Sequence, residues 1–129
     1  MILDTTFLID VLRGDNSVTE LEDELDASGT PHASSITVME LYEGVHLADT
    51  TEAQREAVEN LLTEITELAF DRACAMQAGR ISAELVSAGD PIDETDVMIA
   101  ATALVHDRPV VTRNVDHFER IDDVEVVTY

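Results

Sequence analysis

Short apolar runs, each followed by a stretch of helical periodicity, recur along this chain, and that alternation constrains its fold more than any other feature. Residues 1–4 (MILD) read as a buried strand ending in an acid. Residues 5–13 follow as a helix with Phe7, Leu8, Val11 and Leu12 on one face, stopped by Gly14. Asn16 or Ser17 caps a second helix carrying Val18, Leu21 and Leu25, and Gly29 and Pro31 form a break. Residues 32–35 are a short strand and 36–48 an apolar helix. Asp49 and the two threonines after it supply the next cap, for a helix over 51–65 with Ala57, Val58, Leu61, Leu62 and Ile65 inward. A strand at 66–70, a helix at 72–88 capped by Asp71 and ended by Gly89 and Pro91, a helix at 94–107, and strands at 109–112 and 124–128 complete the pattern. Strands separated by helices predict an α/β domain spanning 1–129, with a mainly parallel central sheet of about five strands and helices on both faces.

Composition narrows the setting. A hydrophobic fraction of 45% supports a packed core rather than an acidic disordered tail. No apolar run approaches the ~20 residues that span a bilayer, and no secretory pattern opens the chain, so a soluble, cytoplasmic protein is expected. The single cysteine, Cys74, is expected to pack as a small buried hydrophobe. There are 28 acids against 7 bases, all of them arginine, for a net charge of −21. Such self-repulsion opposes compaction in dilute buffer, and salt relieves it, which points to a salt-rich, halophilic setting. The same charge argues against strong non-specific binding of nucleic acid at low salt. It leaves a nucleic-acid substrate open, because a bound metal ion dominates the field in its own site.

Where acids are this common, only an acid in apolar surroundings carries information. Three stand out: Asp4 at the end of the first strand, Glu40 within Ile36–Tyr42, and Asp96 before Val97–Ala101. Burying a carboxylate among such neighbours is costly unless it is paired or ligates a metal. Open α/β sheets also bind ligands at the carboxyl ends of their strands, where Asp4 falls. Each has a plainer reading: Asp4 as a helix N-cap, Glu40 as a solvated residue on a helix flank, Asp96 as a first-turn acid favoured by the helix dipole.

The order and context of these residues resemble the PIN-domain family, specifically its VapC-type toxins. Met1–Gly14 is similar to the first family motif, Ser34–Val45 to the second, Pro91–Ala101 to the third and Val110–Ile121 to the fourth. Any one is weak; four in order, nearly end to end, are a strong signal. The resemblance implies a PIN-like three-layer α/β/α fold in which Asp4, Glu40 and Asp96 bind divalent metal. The fourth motif departs from the pattern: Asn114 stands where many PIN domains carry an acid, and Asp116 lies two residues on as a substitute. Asn114 is the positional match, His117 is expected to pack or hydrogen-bond locally, and Asp93 precedes Asp96 as a further donor. Thr5, Thr6 and Thr112 are placed to hydrogen-bond the ligating carboxylates.

Clustered carboxylates suit Mg²⁺ or Mn²⁺, which prefer hard oxygen ligands, and no His/Cys constellation at zinc spacing is present. The resemblance implies metal-dependent hydrolysis of RNA phosphodiesters leaving a 5′-phosphate, a small VapB-like antitoxin occupying a groove near the site, and a homodimeric toxin. The helices at 36–48 and 51–65 could serve those contacts or belong to the core. Arg13 and Arg113 are the bases nearest the motifs, set either against phosphate or in surface ion pairs. A phosphotransferase is disfavoured: Thr6 stands where a second acid is required, the chain has no lysine, and there is no phosphate-binding glycine loop. The non-enzymatic alternative is a catalytically degenerate PIN-like binding module.

Overall fold

The computed structural model describes residues 1–14 and 30–129. The expected helix around Val18, Leu21 and Leu25 lies outside the described residues. Along the chain run β1 (Ile2–Leu3), α1 (Thr5–Leu12), β2 (His32–Ser34), α2 (Ser35–Leu47), α3 (Glu52–Thr63), β3 (Thr66–Leu68), α4 (Arg72–Ser87), α5 (Glu94–Val105), β4 (Val110–Val111), α6 (Val115–Glu119) and β5 (Val126–Val127). The strands form one sheet in the order β3-β2-β1-β4-β5, and every pairing is parallel. The chain first builds outward from β1 through β2 to β3, then crosses to β4 and β5 on the other side. That reversal makes the gap between β1 and β4 a topological switch point, the place where open α/β sheets open a crevice at their carboxyl ends.

The period-2 alternation of strands divides the core. Ile2 and Val110 face one layer, with Ile81 and Leu85 of α4, Val97 and Ile99–Ala101 of α5, and Phe118 of α6. Leu3 and Val111 face the other, with Phe7 and Leu8 of α1, Leu41 and Val45 of α2, and Val58 of α3. The result is the expected three-layer α/β/α arrangement.

Local chemistry sets the element ends. Asp4 caps α1 by accepting from the Phe7 amide, and the helix stops at Gly14, whose φ of +70° suits a residue without a Cβ. Ser34 caps α2 through the Ile36 amide, so Ser35 is the first residue of the helix rather than the last of a strand. Thr51, not Asp49, caps α3, in a reciprocal capping box with Gln54. Asp71 caps α4 as expected, through the Cys74 amide. Two expectations shift. Ala57 is exposed and only Val58 of α3 is fully buried, because α3 lies across the rim of a cavity rather than flat on the core. A short helix, α6, occupies a segment for which the sequence pattern assigns no element; Phe118, fully buried, pins it to the core. Cys74 is buried, as expected. Among the described residues no helix is long and apolar enough to cross a membrane.

Candidate metal centre

Asp4 leaves the carboxyl end of β1 and Thr112 leaves that of β4, so the switch point brings them together. The Asp4 side chain is 1% exposed. It accepts from the Phe7 amide at 2.9 Å and from Thr6 Oγ1 at 2.8 and 2.9 Å, and its Oδ2 accepts from Thr112 Oγ1. Thr112, itself buried, accepts in turn from the Asn114 amide at 2.9 Å. Burial pushes the Asp4 carboxyl pKa up; the bonds from Thr112, Phe7 and Thr6 pull it down, and the nearby charge of Asp96 pushes it up further. The plainer reading of Asp4 holds, since it caps α1, and it also stands in the field of Asp96.

Asp96 sits in the first turn of α5, largely buried. Its Oδ2 receives Asn114 Nδ2 at 3.2 Å and lies 2.7 Å from His117 Nδ1. Asn114 Nδ2 also lies 2.9 Å from that His117 nitrogen, so the ring proton decides which partner the imidazole bonds. Asn114 thus turns its amide nitrogen to the neighbouring carboxylate and holds it. Asp116 is exposed on α6 and makes no hydrogen bond or ion pair among the described residues. Asp93 and His117 stand closer to Asp96: the potential ligand atoms of Asp93, Asp96 and His117 all lie within 4.8 Å of one another. Among the described residues no other trio of acids, cysteines and histidines is this compact, and neither Asp4 nor Glu40 belongs to it.

Glu40 approaches from α2. Its Oε1 accepts from Thr5 Oγ1 at 2.7 Å, a hydroxyl that also reaches Thr37 Oγ1 at 3.2 Å. The three expected threonines therefore divide their work: Thr6 and Thr112 hold Asp4, and Thr5 holds Glu40. Beyond Glu40 opens a cavity of about 300 Å³ lined by Ile9, Leu12, Arg13, Leu41 and Val45.

One buried acid is missing from the sequence reading. Asp10 is 2% exposed, accepts from the Tyr129 hydroxyl at 2.5 Å and pairs with Arg113 Nη2 at 3.3 Å. The signal was present, since Asp10 interrupts the apolar run Phe7–Leu12 just as Glu40 interrupts its own. Asp93 was expected as a further donor and stands beside Asp96; His117, expected only to pack or hydrogen-bond locally, joins them because α5 and α6 meet in space.

A match to the PIN domain covers residues 1–124, and so takes in all four motif segments. The chain belongs to the PIN domain family, in its VapC branch. It is 37% identical over 93 residues to the tRNA(fMet)-specific endonuclease VapC of Salmonella typhimurium, covering 72% of this chain and 70% of that one. It is 32% identical over 124 residues to Ribonuclease VapC19 of Mycobacterium tuberculosis, 96% of each. The crystal structure of DNA-bound VapBC from Salmonella typhimurium superposes with a TM-score of 0.90 at 30% identity, over 98% of this chain and 96% of that chain. The PIN fold expected from the motif order is therefore the fold observed.

PIN-domain nucleases work with a divalent cation, and the donors here fit one. The carboxylates of Asp93 and Asp96 offer oxygen to a hard ion, His117 adds one nitrogen, and the repulsion between Asp96 and the nearby Asp4 is what a dication relieves. The first turn of α5 adds the positive end of a helix dipole to the same place.

Proposed function

We propose that this chain is a Mg²⁺- or Mn²⁺-dependent endoribonuclease that hydrolyses RNA phosphodiester bonds to leave a 5′-phosphate, and that it is the toxin of a type II toxin–antitoxin pair. The carrying observation is the bridge Asp4–Thr112–Asn114–Asp96, which ties the ends of β1 and β4 to the start of α5 and gathers two carboxylates at the switch point. Asp4 and Asp96 are the direct metal ligands, with Asp93 and His117 as additional donors beside Asp96. When bound, the cation supplies a Lewis acid for the phosphoryl oxygen and an acidified water. Thr112 and Thr6 fix the Asp4 carboxylate, and Asn114 fixes that of Asp96, so neither reorganises when substrate arrives. Glu40, held by Thr5, completes the ligand set or orients the attacking water. The degenerate-module alternative stood on Asn114; the ribonuclease relatives favour the enzyme.

One solved relative, from Klebsiella pneumoniae, is a toxin–antitoxin complex, which supports a small antitoxin as partner. The apolar cavity beside Glu40 is the groove such a protein would occupy, and the exposed Met39 and Leu47 of α2 offer further apolar contact. Homodimerisation is part of the same proposal. The test is cleavage of 5′-labelled RNAs, tRNA among them, with Mg²⁺ or Mn²⁺ and with EDTA. Wild type should cut only with metal, and Asp96→Asn should be inert while keeping the wild-type circular dichroism. Undiminished, EDTA-resistant cleavage by folded Asp96→Asn would overturn the assignment.

A further inference from the structure

We infer that Arg113 is a phosphate-contact residue at the edge of the metal centre, and that Asp10 and Tyr129 are its positioning residues. The inference rests on the ribonuclease reading above. Asp10 is a carboxylate inside the apolar face of α1, and burial there demands partners. It has two. Tyr129, packed edge-on against Phe7 with ring centres 5.1 Å apart, donates its hydroxyl to Oδ2; Arg113 meets Oδ1. Burial and the adjacent Asp10 push the Tyr129 phenol pKa up, which keeps it a donor.

Placement connects this group to the chemistry. Thr6 and Asp10 are four residues apart on α1, hence neighbours on one face, about 6 Å along the helix axis. Thr6 bonds both oxygens of Asp4, and Arg113 lies in the chain between Thr112, which bonds Asp4, and Asn114, which bonds Asp96. A guanidinium tied to Asp10 is therefore held about one helical turn from the Asp4 carboxylate. Its side chain is 55% exposed although its partner is 3% exposed. Neutralising a buried acid needs no such exposure. It leaves most of the five N–H donors directed to solvent, in the fork geometry that grips a phosphate. A chain of net charge −21 needs a fixed cation wherever RNA approaches. By contrast, Arg80 and Arg120 pair with the exposed acids Glu84 and Asp90.

The experiment measures kcat and KM for a fluorogenic single-stranded oligoribonucleotide in Mg²⁺ between about 0.05 and 0.4 M KCl. Arg113→Ala should raise KM by roughly tenfold with little change in kcat, and should reduce the slope of log(kcat/KM) against log[KCl] by about 0.7, the loss of one single-strand phosphate contact. Arg113→Lys should restore the slope. Asp10→Asn and Tyr129→Phe should raise KM while keeping the slope, and Asp10→Asn should add little on top of Arg113→Ala. Wild-type KM and slope in folded Arg113→Ala would make the pair purely structural. Full additivity of Asp10→Asn with Arg113→Ala would overturn the positioning role. If wild type cuts no RNA with metal, the ribonuclease reading fails; if wild type and Arg113→Ala cut alike, only this inference does.

Discussion

Asp4 caps α1 and, in the proposed centre, ligates the metal; two substitutions separate these roles. As an N-cap it accepts from the Phe7 amide; as a ligand it must be a carboxylate. Asparagine caps as well as aspartate but carries no charge, whereas alanine neither caps nor ligates. Asp4→Asn and Asp4→Ala are both expected to lose RNA cleavage. In EDTA, only Asp4→Ala should lose the cap, about 1 kcal/mol by urea unfolding. Cleavage by Asp4→Asn at the wild-type rate would remove Asp4 from the ligand set. At this scale the sequence was legible wherever an acid interrupted an apolar run, which is why Asp4, Glu40 and Asp96 stood out. Asp10 met the same criterion inside the first motif segment, but Asp4 at the strand end drew the attention there. The role of Asn114 was half legible: its position marked it, but only the fold shows its amide holding Asp96.

Elements were legible where caps or long periodic faces mark them, and blurred where they do not. Gly14, Thr51 and Asp71 each end or begin a helix close to the expected place, because capping is a local chemistry. Strands of two or three residues carry too little pattern to fix their ends, and their extent depends on which neighbours they pair with. The five-residue α6 is shorter than two helical turns, so no periodicity announces it. Asp71 offers a test of capping by charge. The bonds it accepts from Cys74 hold its carboxyl pKa below the ordinary value. A depressed acid stabilises the fold above its unfolded pKa, about 3.9, and that contribution fades as pH falls through the folded value. The difference in melting temperature between wild type and Asp71→Ala should therefore be largest near neutrality and shrink below pH ~4. A difference independent of pH would mean that the cap acts without its charge.

For the whole molecule, strand order and net charge act together. The reversal at β1 draws carboxylates from distant parts of the sequence to one edge, in a body whose net charge is already −21. The proposed centre then predicts two cation effects, a diffuse one on the general charge and a specific one at the centre. Raising KCl from about 0.1 to 1 M shortens the screening length from about 10 to 3 Å, which should raise the melting temperature of wild type and of Asp96→Asn alike. Mg²⁺ at matched ionic strength should add a further rise in wild type, since a ligand bound only by the folded state stabilises it, and Asp96→Asn should lose that increment. An equal Mg²⁺ increment in both proteins would place the ion in the diffuse atmosphere and empty the proposed centre of its meaning. A melting temperature indifferent to KCl would show instead that the acidic surface is already relieved by its own geometry, and that the charge excess is no adaptation to salt.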